Sequence, residues 1–151
     1  MAELANTELS QNKGLQAVEE RKRLMTQLKV GIQNIGKTIL RDGESSADKD
    51  IEITEFQDIR GIINENDSLQ VILLTGYSDK ASTYRSFVKY LAEKEIQHSP
   101  LPEKVKADSR FTAQFKRPIT GIIGNSTSMA AARGVSFGRL LEQFRSAIIR
   151  Y

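Results

Sequence analysis

Between Leu15 and Leu40 apolar side chains return at helical intervals, and so long a stripe constrains the fold more than any other feature of the chain. Leu15, Val18, Met25, Leu28, Ile32, Ile35 and Ile39 fall on one side of a helical projection. Val18, Met25, Ile32 and Ile39 stand seven residues apart, with Leu28 and Ile35 three residues after members of that set. This is the spacing of a short coiled-coil seam. A helix of this span would run about 39 Å, longer than a small domain needs. The reading therefore predicts that Val18, Met25, Leu28, Ile32, Ile35 and Ile39 pack on a second helix, from this chain or from another copy.

Further along, Asp42–Asp50 is rich in acids, Gly and Ser, which favours an exposed acidic loop. Thr54 and Gln57 have capping-box spacing ahead of Phe56, Ile59, Ile62 and Ile63. Leu69–Leu74 is a short β-branched run and the strongest strand candidate. Ser78 can cap a helix carrying Ala81, Tyr84, Val88, Leu91 and Ala92, which ends before Pro100. Arg110–Lys116, with Phe111 and Phe115 on one side, and a segment opened by Pro118 with Ile119, Ile122 and Ile123 both read as helical. Ala130–Gly134 has the form of a helix end, and Ser136 opens a last helix with Phe137, Leu140, Leu141, Phe144 and Ile148 on its apolar side. The expected fold is mainly α. It is a single-domain helical bundle over 13–151, with one long N-terminal amphipathic helix, an acidic loop at 42–52, at most one or two short strands, and a flexible N-terminus at 1–12.

A chain of 151 residues suits one domain that buries roughly two thirds of its unfolded surface. Without cysteine there is no disulfide framework, thiolate zinc site or cysteine nucleophile. The polar first residues lack the order of a signal peptide, and no run has the length of a membrane span. A cytoplasmic protein is expected.

Gly31-Ile32-Gln33-Asn34-Ile35-Gly36-Lys37-Thr38 satisfies the phosphate-loop pattern letter for letter. That chemistry needs a turn between a strand and a helix, so that backbone N–H groups curl around phosphates. The helical stripe running through the segment argues instead for packing, with Gly31 and Gly36 admitting a close partner helix. Nucleotide binding through Gly36, Lys37 and Thr38 stands as an alternative. A calcium loop starting at Asp48 would need Gly at its sixth position and Glu at its twelfth, where Ile53 and Ile59 stand. His98 is the sole histidine and lies in a proline-bracketed loop, so no zinc site or nucleophile–base pair is expected. No cofactor, metal or catalytic residue is expected.

Val71-Ile72-Leu73-Leu74-Thr75-Gly76-Tyr77-Ser78-Asp79 resembles the fourth strand and following turn of response-regulator receiver domains, with Thr75 where those carry a switch hydroxyl. Asp58–Ile62 resembles the helix leading into that strand. The resemblance covers about residues 53–83. The family's paired acids, phosphoacceptor Asp and Lys-Pro pair have no counterparts, so phosphotransfer does not carry over.

Charge is sorted by segment. Residues 42–67 hold nine acids against two bases, and residues 104–151 hold nine bases against two acids, −7 and +7 within a chain of net +3. Six of the nine bases are Arg, which suits bidentate contacts to phosphate. Arg110-Phe111 and Phe115-Lys116-Arg117 interleave aromatics with bases, the combination that grips phosphates while stacking on nucleobases. The expected function is a non-catalytic, homo-oligomeric assembly subunit that self-associates through residues 15–40, similar in size and charge to the small helical subunits of nucleoprotein filaments. Nucleic acid would contact Arg110, Phe111, Lys116, Arg117, Arg133, Arg139 and Arg145, and the acidic segment would meet the basic face of the next copy. A protein–protein adaptor whose basic face binds an acidic protein is the other alternative.

Overall fold

Helix α1 (Leu15–Gln27) stops halfway along the apolar stripe, and the reason is local. The N–H of Val30 donates to the carbonyl of Met25 and that of Lys29 to Thr26, with Lys29 at φ +53°. This is a Schellman stop, here built on lysine rather than glycine. Beyond it Ile32, Asn34 and Ile35 are weaker helix formers than the residues of α1, and Gly31 and Gly36 would each cost about 1 kcal/mol in a helix interior. The chain extends instead into β1 (Gly36–Arg41), antiparallel to β2 (Ile51–Phe56). The computed structural model describes residues 8–9, 13–41, 51–78, 81–126 and 134–148.

The 15–40 seam therefore does not exist as one helical face. Val18 and Met25 lie on α1, Leu28 is its C-cap, Ile32 and Ile35 sit in the connecting segment, and Ile39 belongs to β1. Val18 is 47% and Ile32 75% exposed, whereas the buried residues of α1 are Ala17 and Leu24. In β2 the alternation Ile51, Ile53 against Glu52, Thr54 is a strand pattern. Thr54 donates its hydroxyl to the carbonyl of Thr38, so it caps nothing. The cap of α2 (Ile59–Glu65) is Asp58, whose Oδ1 accepts from the N–H of Gly61 at 2.9 Å.

The second sheet has order β3-β5-β4, with β3 (Val71–Thr75) parallel to β5 (Pro118–Gly124) and β4 (Arg110–Gln114) antiparallel to it. The predicted strand is present as β3, preceded by α2 as the receiver-like resemblance implies. The two helices expected over 110–116 and from Pro118 are strands. Phe111 and Phe115 are four apart, an interval that fits a strand's period as well as a helix's, and the burial of β4 alternates residue by residue. Pro118 opens β5, a position where its missing N–H is tolerated. β5 is the central strand and reads as a near-continuous apolar run. The outer edge of β4 is covered by residues 97–99: Gln114 donates to the carbonyl of Gln97 and Ser99 to that of Thr112. His98, exposed, bridges to Ala113 there.

Helix α3 (Thr83–Glu93) is capped by Ser82 and lays Tyr84, Phe87, Tyr90 and Leu91 over Leu74, Phe111, Ala113 and Ile123. Phe87 stacks on Tyr90, and Tyr84 meets Phe111 edge-on. Phe56 at the end of β2 meets Tyr90 at 5.5 Å, which ties the hairpin to this core. Helix α4 (Phe137–Ile148) starts after Ser136, as read from sequence, and packs on β3. With four helices and five strands among the described residues, the protein is α/β with two sheets, and the helical bundle with one or two strands is overturned.

Candidate anion-binding groove

The strand period places the first residue of β4, Arg110, on the exposed side while Phe111 turns into the core. Just before it the chain makes a tight turn. Asp108 sits at φ +69°, its N–H donates to the carbonyl of Ile123 at 2.7 Å, and the N–H of Ile123 donates to the carbonyl of Ser109 at 2.9 Å. Asp108 is thus pinned to the central strand. Across from it, α4 carries Arg139, Glu142, Gln143 and Ser146 at i, i+3, i+4 and i+7, a polar strip along the helix. The α4 start is fixed by Ser136, whose Oγ accepts from the N–H of Arg139 at 3.2 Å.

These residues, with Arg145, enclose an open groove of about 560 Å³ lined by Asp108, Arg110, Arg139, Glu142, Gln143, Arg145 and Ser146. Arg139 spans it: Nη2 donates to Asp108 Oδ2 at 2.9 Å and Nη1 to Glu142 Oε2 at 3.5 Å. Three guanidinium groups against two carboxylates leave the lining net positive. Gln143 is 3% exposed, and its Oε1 accepts from both the N–H and the Nδ2 of Asn125, each at 3.2 Å. Its Nε2, also buried, has no hydrogen-bond partner among the described residues. Leaving such a donor unpaired costs about 1–3 kcal/mol.

Of the residues assigned to nucleic acid from sequence, the structure brings Arg110, Arg139 and Arg145 together here. Phe111 does not belong with them, because it is a core residue 3% exposed and unable to stack on a base. Lys116 and Arg117 lie in the turn between β4 and β5. The Lys116 N–H donates to Asn64 Oδ1 and its Nζ lies 3.8 Å from Asp67. Arg117 is spent on backbone carbonyls after α2. Arg133 lies outside the described residues, as do 42–50 of the acidic segment. Other acids of that segment have partners within the chain: Asp58 caps α2, Asp67 pairs with Arg117, and Glu55 takes Lys37 and Thr38. Sequence reading missed Asp108, Glu142, Gln143 and Ser146. The polar face at i, i+3, i+4 and i+7 is the signal that marks the last three.

The phosphate-loop residues sit elsewhere and lack the turn that pattern needs. Gly36, Lys37 and Thr38 enter a strand rather than a helix. Lys37 Nζ lies 2.6 Å from Glu55 Oε1, and Thr38 Oγ1 donates to Glu55 Oε2 at 2.9 Å. Those hydrogen bonds hold the Glu55 carboxyl below its usual range. Among the described residues, no cluster of acids or histidine is placed to hold a metal, and no helix is long and apolar enough to cross a membrane.

No family model, curated protein or solved structure matches this chain.

Proposed function

We propose that the protein is a non-catalytic nucleic-acid-binding subunit whose contact with the phosphate backbone is the groove of Arg110, Arg139 and Arg145. The observation that carries the reading is convergence. Arginines from a strand and a helix, up to 35 positions apart in sequence, line one open groove. Arginine presents a planar fork that matches phosphate oxygens two at a time, and a phosphodiester chain offers such oxygens in series. Asp108 and Glu142 hold Arg139 at the groove, and an arriving phosphate competes with them for its guanidinium.

The test is fluorescence anisotropy of a labelled oligonucleotide at two salt concentrations, with wild type and Arg110→Ala/Arg145→Ala. Phosphate contacts predict a steep fall in affinity with salt, and a slope shallower by about 1 for each arginine removed. Wild-type binding that ignores salt, or none at all, would overturn the proposal. Binding of an acidic polypeptide such as polyglutamate without binding of oligonucleotide would move the assignment to a protein adaptor.

A further inference from the structure

Resting on that reading, we infer that Gln143 is a built subsite for one phosphate oxygen in the groove. The carboxamide is fixed in orientation. Asn125 aims two donors at Oε1, its backbone N–H and its Nδ2, so the oxygen must face Asn125 and the NH₂ must face away. A group so oriented offers donors and has no acceptor left to satisfy.

The Nε2 it presents is buried and finds no partner among the described residues, while Gln143 itself lines the groove beside Arg110, Arg139 and Arg145. Buried side-chain donors are ordinarily paired, so an orphan on a residue that shares its groove with three arginines points to an acceptor that arrives with a ligand. An anionic oxygen is the acceptor those neighbours attract. Because Nε2 is closed off from solvent, engagement requires groove side chains to shift. Arg139 and Glu142, 57% and 67% exposed, have room to do so. The arginines then supply charge and Gln143 supplies position: a neutral donor binds one oxygen without releasing counterions.

This division of labour gives the experiment. Wild type and Gln143→Met are titrated with a fluorescent oligothymidylate across salt concentrations. The side-chain amide resonances of Gln143, assigned by their absence from the Met variant, are followed in wild type on adding the oligothymidylate and, separately, inorganic phosphate. The expected result is a roughly tenfold weaker affinity for Gln143→Met, equivalent to about 1.4 kcal/mol, with an unchanged salt slope. In wild type the Gln143 amide protons should shift and exchange more slowly at saturation. Amide resonances that stay put while the oligothymidylate binds would overturn the subsite and leave the groove assignment standing. Should Gln143→Met fail to fold, the Gln143 amides are assigned from wild-type triple-resonance spectra and that measurement decides alone. A shift with inorganic phosphate in a chain that binds no oligothymidylate would uphold the subsite and refute the nucleic-acid reading. No shift with either probe, together with no binding of the oligothymidylate, would refute both.

Discussion

Arg117 Nη2 donates to the carbonyl of Ile63 at 3.0 Å, and through that bond a basic turn residue closes the exit of α2. The same guanidinium reaches the carbonyls of Leu69 and Asn66 and the carboxylate of Asp67, and the side chain is 23% exposed. The 66–70 connection holds its shape because one planar cation ties the carbonyls of Ile63, Asn66 and Leu69 to a single point, the first two of which also accept backbone N–H groups.

Removing this clamp should therefore cost stability rather than anion affinity. Arg117→Ala is expected to lose about 2–4 kcal/mol, the scale of two or more hydrogen bonds to a charged group. Arg117→Lys should recover little, since an ammonium cannot reproduce the fork. Urea denaturation measures both. An Arg117→Ala variant of wild-type stability would show the carbonyl contacts to be incidental.

Phe111 and Gly121 are cross-strand partners, and a Cβ built on Gly121 would lie 2.4 Å from Phe111 Cζ. The glycine exists because the ring needs its place. Gly121→Ala should cost on the order of 3 kcal/mol by overpacking. Phe111→Ala should cost about 3–5 kcal/mol by opening a cavity. Both should leave the salt slope of oligonucleotide binding unchanged in the folded fraction, since neither touches the groove.

These pairs show what the sequence allowed and what it withheld. β3 and α4 were legible because a β-branched run and a capped amphipathic stripe each fit one period. Phe111 and Phe115, four apart, fit two periods, and only pairing of β4 with β5 decides between them. The stripe from Leu15 to Ile39 failed for a similar reason. Its heptad spacing survives on paper, but a stop at Lys29 and a strand partner at Ile51–Phe56 were stronger than its weak helix formers. Of the groove, the arginines were visible as charge. Their meeting with Asp108 and Gln143 depends on how α4 docks, which no local pattern encodes.

Lys37 and Thr38 both engage Glu55 on an exposed hairpin. A surface pair of this kind contributes little to stability. Lys37→Ala should melt within error of wild type, and neither protein should gain thermal stability from ATP or GTP. A nucleotide-dependent rise in Tm that disappears in Lys37→Ala would reinstate the phosphate-loop assignment.

The phenols of Tyr84 and Tyr90 are pushed above the ordinary tyrosine range, chiefly by burial. A raised pKa means that the fold favours the protonated phenol. Their contribution is intact below the unfolded tyrosine value of about 10 and is lost as pH rises through the folded values. Denaturation midpoints should hold steady through neutral pH and fall above about pH 10. Tyr84→Phe should flatten that alkaline fall while keeping neutral-pH stability. An alkaline profile identical to wild type would exclude Tyr84 as a cause.

Asp108 offers the sharpest test of the groove, because it opposes the proposed ligand. Its carboxylate holds Arg139 at 2.9 Å and would repel a phosphate in the same space. Asp108→Asn removes the charge and keeps the shape, and Asn is among the few residues that tolerate the φ of +69° found there. If the groove binds a phosphate backbone, the variant should bind oligonucleotide about three- to tenfold more tightly at low salt, with the gain fading as salt screens the lost repulsion. If the Asp108–Arg139 pair exists only to dock α4, affinity should stay level or fall as Arg139 loses its anchor. Anisotropy titrations at low and high salt, beside a melting curve to confirm the fold, separate these outcomes by sign.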